Sequence, residues 1–255
     1  MLILENINVT FNKDSSLEKC VLKNFNLSVE DGDFICILGS NGAGKSTLMN
    51  VISNSIDYEG NVYIDDKNNK RNKKMNGIGI VYQDPTKGTA PHLSVMENIL
   101  LASRIKSFFN RKKVKEIRQK AKSDLSSFGL GIESSLNREC KSLSGGMRQV
   151  VSLYMATLSN PRVLLLDEHT AALDPNTQEK VMEITKELVD KKQITTLMIT
   201  HNLDVALKYG NRIVIINDGN IVVDIRKNDK ETIRKEDLIS MYSNSLSDKT
   251  LLDEQ

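Results

Sequence analysis

The chain has 255 residues, which at the usual ~150 residues per domain allows one large domain or a domain with an inserted subdomain. Hydrophobic residues make up 39% and charged residues 27%, with 14 glycines and 4 prolines. This balance excludes a disordered or collagen-like chain. The formal net charge is +2, so we expect no nucleic acid among the partners of this protein.

The apolar runs are short, as in Val163–Leu166, and none approaches the ~20 residues of a membrane helix. The N-terminus lacks the basic region, long apolar stretch and cleavage site of a signal peptide, so we expect a cytoplasmic protein. The three cysteines, Cys20, Cys36 and Cys140, have no pairing or metal-site spacing. We expect them to be reduced thiols.

The first third of the chain is predicted to begin with strands. Ile7, Val9 and Phe11 alternate with polar neighbours, and residues 34–38 form a short apolar run, which is typical of a buried strand. From Ser94 to Phe128 apolar residues recur at roughly helical spacing, and residues 142–158 predict a further helix. We therefore predict a helical insertion at about residues 90–160.

The second half of the chain alternates strands and helices. The predicted strands are residues 163–167, 196–200 and 212–217, and the predicted helices are residues 176–189 and 203–208. Such alternation favours a parallel sheet covered on both faces, in which ligands bind beyond the carboxyl ends of the strands. After about residue 226 we expect a short charged helix and a polar tail.

A glycine-rich loop follows the apolar run at residues 34–38 and matches the pattern Gly, four residues, Gly-Lys-Ser. Glycines allow backbone N–H groups to close around phosphate oxygens, a lysine reaches the terminal phosphates, and a serine hydroxyl suits Mg²⁺. The candidate nucleotide-binding residues are Gly39, Ser40, Asn41, Gly42, Ala43, Gly44, Lys45, Ser46 and Thr47.

Two carboxylates, Asp167 and Glu168, follow the predicted buried strand at residues 163–167. Acids at a strand end often simply face solvent, but beside a phosphate-binding loop they suit a magnesium ligand and a base for an attacking water. These two motifs leave kinases, GTPases and motor ATPases open. The absence of an Asn-Lys-x-Asp guanine-reading motif argues against a GTPase.

A Ser-Gly-Gly turn, Ser144-Gly145-Gly146, precedes the helix predicted after residue 142. Alone it favours an ordinary serine-capped helix start. Together with the loop at residues 39–47 and the acids at the end of the 163–167 strand, however, the chain resembles the ATP-binding-cassette (ABC) ATPases, from about residue 2 to residue 225. In that family Leu-Ser-Gly-Gly is the signature motif, matched here from Leu143 onwards.

The resemblance assigns roles to further residues. Gln83 matches the glutamine that touches Mg²⁺ and the attacking water, Asp174 matches the D-loop, and His201 matches the switch histidine at the γ-phosphate. Phe11 occupies the place of the aromatic ring that stacks on adenine. The implied catalytic residues are Glu168, His201 and Gln83; the implied metal ligands are Ser46, Gln83 and Asp167; and Ser144, Gly145, Gly146 and Asp174 join the nucleotide site.

The fold that the resemblance implies is an α/β P-loop NTPase with a mostly parallel central sheet, an N-terminal antiparallel β subdomain and an inserted α-helical subdomain. One nucleotide-binding domain would span residues 1–225, and a short helix and polar tail residues 226–255. The implied activity is hydrolysis of ATP with Mg²⁺ by a homodimer or a paired cassette. It would power a separate permease from the cytoplasmic face of the cell membrane.

Residues 83–91 and 167–175 resemble an importer subfamily that accompanies extracytoplasmic binding proteins and permeases for amino acids, including aromatic ones. His169 departs from the proline that most relatives have there, and Asn202 from a frequent aspartate. A soluble ABC ATPase of the iron–sulfur cluster assembly type and an exporter ATPase are the alternatives. The basic segment at residues 104–122 is interpreted as a solvated helix face, with anionic lipid contact as the alternative.

Overall fold

The computed structural model describes residues 1–65, 67–68, 77–104, 110–230 and 232–247. Part of the basic segment, residues 105–109, and the last part of the expected polar tail lie outside the described residues. The chain divides into two compact units. The first unit comprises Met1–Ile78 and Gln193–Gln255, and the second comprises Gly79–Lys192.

The strands and helices are numbered in chain order. The strands are β1 (Leu2–Phe11), β2 (Lys19–Val29), β3 (Phe34–Leu38), β4 (Glu59–Ile64), β5 (Lys67–Asn68), β6 (Ile78–Val81), β7 (Val163–Asp167), β8 (Thr195–Ile199), β9 (Arg212–Asn217) and β10 (Asn220–Ile225). The helices are α1 (Lys45–Ile52), α2 (Val95–Ala102), α3 (Arg111–Ser127), α4 (Gly145–Thr157), α5 (Pro175–Lys192), α6 (Leu203–Tyr209), α7 (Lys227–Lys230) and α8 (Lys235–Ser247).

In the first unit, an antiparallel sheet has the strand order β2-β1-β4-β5. Leu2 and Leu4 are buried on one face of β1, and Ile7 and Val9 continue that face after a register shift. The shift is needed because alternation alone would turn Ile7 to the other face. Asn6, in the left-handed region at φ 52°, lies at this irregularity.

A second sheet of the first unit has the order β10-β9-β3-β8. β3 runs parallel to both β8 and β9, and all three strands are buried almost throughout, as expected for parallel strands covered on both faces. β10 pairs antiparallel with β9 after a tight turn at Asp218 and Gly219, both at positive φ. The carboxyl end of β3 leads directly into the glycine-rich loop.

The segment after residue 226 differs from the expected single short helix. It contains α7 and then α8, which is 13 residues long. Leu238 of α8 is fully buried, and Lys235 forms an ion pair with Asp204 of α6 at 2.7 Å. The C-terminal helix is therefore packed against other elements of the first unit.

The second unit contains β6 apart from its first residue, β7 and the helices α2 to α5. α2 begins with a capping box in which Ser94 accepts from the Glu97 N–H and Glu97 accepts from the Ser94 N–H, which satisfies two otherwise free amide groups. α3 buries Ala121 and Leu125 and exposes most of its basic residues. Tyr154 of α4 donates to Asp124 at 2.8 Å, which fastens α3 to α4. Within the described residues, no helix is both long and apolar enough to span a bilayer.

Candidate functional site

The glycine-rich loop owes its shape to three glycines in the left-handed region. Gly39, Gly42 and Gly44 have φ values of 152°, 85° and 102°, which L-residues with a side chain rarely adopt. A Cβ at Gly39 would also lie 2.2 Å from the carbonyl oxygen of Ile216. The loop can therefore follow this path only with glycine at its first position.

Lys45, the first residue of α1, is folded back onto this loop. Its side chain is buried, with 6% exposure, and Nζ donates to the carbonyl oxygens of Gly39 at 2.7 Å and Ser40 at 2.8 Å. No side chain caps the N-terminus of α1, so its first N–H groups keep their capacity to bind an anion. This combination of donors and positive charge fits a polyphosphate.

The residue after Lys45 offers a ligand for a hard cation. Ser46 is exposed at the start of α1, and hydroxyl oxygens beside phosphate oxygens suit Mg²⁺. In the second unit, the half-buried carboxylate of Asp167 at the end of β7 is an oxygen donor of the same class. Each of these two side chains is thus an oxygen donor of the kind that Mg²⁺ prefers.

Glu168 follows Asp167 and is held in the left-handed region, at φ 44°, a conformation that costs a non-glycine residue of the order of 1 kcal/mol. Gln83, which comes two residues after the end of β6, donates from Nε2 to Glu168 Oε2 at 3.5 Å, the outer limit of a hydrogen bond. The structure thus brings together two of the residues predicted to act on the attacking water.

The next residue, His169, is buried with 2% exposure. Its Nε2 lies 3.1 Å from Thr185 Oγ1 of α5, while Nδ1 has no hydrogen-bond partner among the described residues. Burial lowers the pKa of His169 to about 4, so the ring is neutral at physiological pH. In the sequence His169 stands out only as a departure from relatives, and no pattern predicts a site role for it or for Thr185.

The Ser-Gly-Gly turn caps α4. Ser144 Oγ accepts from the Met147 N–H at 3.3 Å, which is the role of an N-cap serine. A Cβ at Gly146 would lie 2.3 Å from Thr177 Cγ2 of α5, whereas one at Gly145 would meet Leu173 at 3.4 Å. Gly146 is therefore required for the close approach of α4 and α5, in addition to the nucleotide-binding role predicted for it.

Asp174 begins α5 in a similar way. Its carboxylate accepts from the Thr177 N–H at 3.1 Å, and this hydrogen bonding lowers the pKa of Asp174. A further hydrogen bond, from Gln149 Nε2 of α4 to the Tyr82 carbonyl at 3.1 Å, joins the signature helix to the segment that carries Gln83. Gln149 is not predicted from the sequence, because its 1% exposure results from tertiary packing.

The remaining two predicted site residues lie in the first unit. His201 follows β8 and is exposed, immediately before Asn202, which caps α6 by accepting from the Val205 N–H. Phe11 ends β1 with 41% exposure, so part of this residue is accessible to a ligand. The first unit thus carries Phe11, residues 39–47 and His201, and the second carries the other predicted site residues.

Comparison with known proteins gives a consistent result. A family model described as "ABC transporter" matches residues 22–171. A tyrosine transport ATP-binding protein of Clostridioides difficile is 39% identical over 249 residues, which are 95% of this chain and 98% of that protein. A phosphonates import ATP-binding protein, PhnC 2 of Oceanobacillus iheyensis, is 33% identical over 236 residues, which are 88% of this chain and 89% of that protein.

A solved structure extends the likeness to three dimensions. The dimeric, post-hydrolysis ATP-binding cassette MJ0796, bound to ADP and Pi, has a TM-score of 0.76 and 32% identity, and the match covers 89% of this chain and 99% of that chain. The predicted α/β P-loop fold, with its mostly parallel central sheet and N-terminal antiparallel sheet, is confirmed, as is the predicted ATPase activity. The family model and the relatives together show that this chain belongs to the ABC transporter family and is one of its ATPases.

Proposed function

We propose that this chain is the ATP-hydrolysing subunit of an importer and drives a small solute, an amino acid, through a separate membrane permease. The observation that carries the proposal is the 39% identity, over 95% of the chain, with a protein named for tyrosine transport. The phosphate-binding geometry of residues 39–47 in the first unit independently supports the nucleotide-binding part of the proposal.

Binding of ATP is assigned to the first unit. Phe11 stacks on the adenine, the N–H groups of residues 39–47 surround the phosphates, and the Lys45 ammonium neutralises the terminal phosphates. Ser46, Asp167 and Gln83 would hold Mg²⁺, which neutralises charge on the phosphate oxygens when it is bound. Lys45 must exchange its hydrogen bonds to Gly39 and Ser40 for phosphate oxygens when the nucleotide enters.

Hydrolysis is assigned to three side chains. Glu168 accepts the proton of the attacking water, and Gln83, which donates to Glu168 in the structure, helps to orient that water. His201 donates to the γ-phosphate, where negative charge is stabilised in the transition state. In this scheme Gln83 and Glu168 prepare the nucleophile, and Lys45 and His201 stabilise the γ-phosphoryl group that is transferred to it while ADP leaves.

A complete site requires a second cassette. We propose that the active form is a homodimer or a pair with a similar cassette, in which residues 144–146 and Asp174 of the second copy cover the ATP of the first. The two copies close on ATP and open after hydrolysis. This movement acts on a permease, with an extracytoplasmic binding protein on the other side, so the chain works at the cytoplasmic face of the membrane.

Transport by a reconstituted complex tests the proposal. The chain is co-purified with its membrane partner, the complex is placed in proteoliposomes with labelled tyrosine and the binding protein outside, and ATP with Mg²⁺ is enclosed within. We expect ATP-dependent accumulation that Lys45→Ala abolishes. Accumulation of another solute class instead would refute the amino-acid assignment, and purification with soluble scaffold proteins alone would refute the importer.

A further inference from the structure

A buried histidine, His169, directly follows Glu168, the proposed base. His169 is 2% exposed and is the residue after Glu168, so its imidazole anchors the same backbone segment that carries the Glu168 carboxylate. The anchor point is Thr185 Oγ1, 3.1 Å from His169 Nε2, two turns before the end of the long helix α5.

The hydrogen bonds of Thr185 determine which ring nitrogen of His169 carries the proton. The Thr185 hydroxyl is engaged as a donor to the Val181 carbonyl at 2.7 Å, the usual i−4 bond of a helical threonine. A hydroxyl has a single proton, so Thr185 can only accept from His169. Nε2 therefore carries the imidazole proton, and Nδ1 is left as an unprotonated acceptor with no partner among the described residues.

This arrangement is poorly explained by stability. Burying an acceptor without a partner costs more free energy than an ordinary hydrogen bond contributes to stability. An apolar pair of the same shape at positions 169 and 185 would therefore stabilise the fold at least as well. Buried groups of this kind persist where a local geometry has a function.

The hydrogen bonds around His169 fix the backbone conformation of Glu168, which is in the left-handed region at φ 44°. Two side-chain hydrogen bonds fasten the loop that follows to α5: His169 to Thr185, and Gln178 Nε2 to Thr170 Oγ1 at 3.3 Å. A third bond, from the Ala171 N–H to the Glu168 carbonyl at 3.0 Å, closes the turn. Together they fix the direction in which the Glu168 side chain leaves the backbone.

We propose that His169 is a positioning residue for ATP hydrolysis, whose imidazole, hydrogen-bonded through Nε2 to Thr185, holds the Glu168 carboxylate in its reactive direction. The inference rests on the proposed role of Glu168 as the base. Misdirection of a catalytic group by a fraction of an ångström slows the chemical step while the substrate continues to bind.

Variants of both partners test this in the full chain, with kcat and KM for ATP and the midpoint of urea unfolding as readouts. Thr185→Val removes the acceptor and Thr185→Ser keeps it; His169→Leu removes the donor and His169→Gln keeps one. We expect Thr185→Val and His169→Leu each to lower kcat about tenfold, with KM changed less than about twofold. Thr185→Ser should retain wild-type kcat, and His169→Gln should recover much of the loss.

The double variant His169→Leu/Thr185→Val separates positioning from folding. Because it removes both polar partners, it should be at least as resistant to urea as the wild type but as slow as either single variant. The ¹⁵N shifts of the His169 ring in the wild-type protein should show a protonated Nε2 and a bare Nδ1. A protonated Nδ1, or a double variant with wild-type kcat, would overturn the proposal.

Glu168→Gln distinguishes this inference from the function on which it rests. If Glu168→Gln abolishes turnover but His169→Leu and the double variant keep the wild-type kcat, the positioning role is wrong and the base assignment stands. If Glu168→Gln keeps wild-type turnover, the base assignment is wrong, and the positioning role is overturned with it.

Discussion

Lys45 combines nearly complete burial with a positive charge, and its ammonium bonds the two carbonyl oxygens of the loop that it closes. Replacing Lys45 with alanine removes a charge-assisted contact, and such contacts are worth about 1.5–3 kcal/mol. We expect Lys45→Ala to weaken ATP binding by about 10- to 100-fold. Isothermal calorimetry measures this, with Lys180→Ala, an exposed lysine of α5, as the control; unchanged affinity in Lys45→Ala would contradict the phosphate-binding assignment.

His169 also predicts a pH dependence of stability. Its pKa is lowered by burial from 6.5 to about 4, so the unfolded chain binds a proton that the folded chain does not between these values. Above pH 6.5 the ring is largely neutral in both states and the free energy of unfolding is little affected. As the pH falls from 6.5 towards 4, the unfolded chain takes up the proton and the free energy of unfolding decreases. Between pH 7.5 and pH 5 the loss is about 2 kcal/mol.

Urea unfolding at these two pH values checks the effect. His169→Leu should show a smaller loss of stability on acidification than the wild type. The control is His92→Leu, which removes an exposed imidazole of the second unit and should lose as much as the wild type. Equal losses in all three proteins would show that His169 titrates alike in the folded and unfolded states.

Some residues of the candidate site can be predicted from the sequence, and others cannot. Residues 39–47 are contiguous, and their spacing alone predicts the loop that the structure shows. Thr185 lies 16 residues after His169 and three turns into α5, so its pairing with the ring depends on how the loop after β7 folds onto the helix. The sequence predicts the chemistry of a contiguous segment, but it does not predict which side chains pair when distant segments pack together.

At the scale of elements, the packing of α4 on α5 depends on Gly146. A Cβ there would lie 2.3 Å from Thr177 Cγ2, so Gly146→Ala must displace the Thr177 side chain or move the helices apart, which costs about 1–3 kcal/mol in a well-packed core. Thr177→Ser deletes the methyl group that would clash. We therefore expect Gly146→Ala to be destabilised in urea, and Gly146→Ala/Thr177→Ser to recover most of the loss.

Gly145 provides the matched control for this pair, because a Cβ at that position would meet Leu173 at an ordinary 3.4 Å. Gly145→Ala should change stability by less than Gly146→Ala, and Thr177→Ser should not alter its effect. A Gly146→Ala protein that is as stable as the wild type would show that the two helices do not need this close approach.

The elements themselves follow the sequence most closely where the pattern is strongest. Residues 163–167 and 212–217 are strands as predicted, and the helix predicted over 176–189 extends to Pro175–Lys192. β10 was not anticipated, although Asp218-Gly219 before an apolar segment is a hairpin signal. α8 is longer than the short helix expected there, and its Leu238, which is fully buried, acquires its partners only when the helix packs against α6 and β9.

At the scale of the whole molecule, the predicted site residues are divided between two compact units, and each chain carries one phosphate loop and one signature turn. If the signature of one chain covers the ATP of another, the bound nucleotide becomes part of the interface between the chains. Association is then linked to ATP by mass action, since a ligand that binds better to the dimer stabilises it. Hydrolysis removes that ligand and thereby releases the partners.

Glu168→Gln should separate these two steps. The amide keeps the size of the side chain but cannot accept the proton of the attacking water, so ATP still binds, hydrolysis stalls and the closed dimer accumulates. Size exclusion of Glu168→Gln with ATP and Mg²⁺ should show a dimer that ADP does not support. Glu187→Gln makes the same change at an exposed position of α5 and should elute as the wild type. An unchanged elution of Glu168→Gln together with wild-type turnover would contradict both the base and the nucleotide-linked dimer.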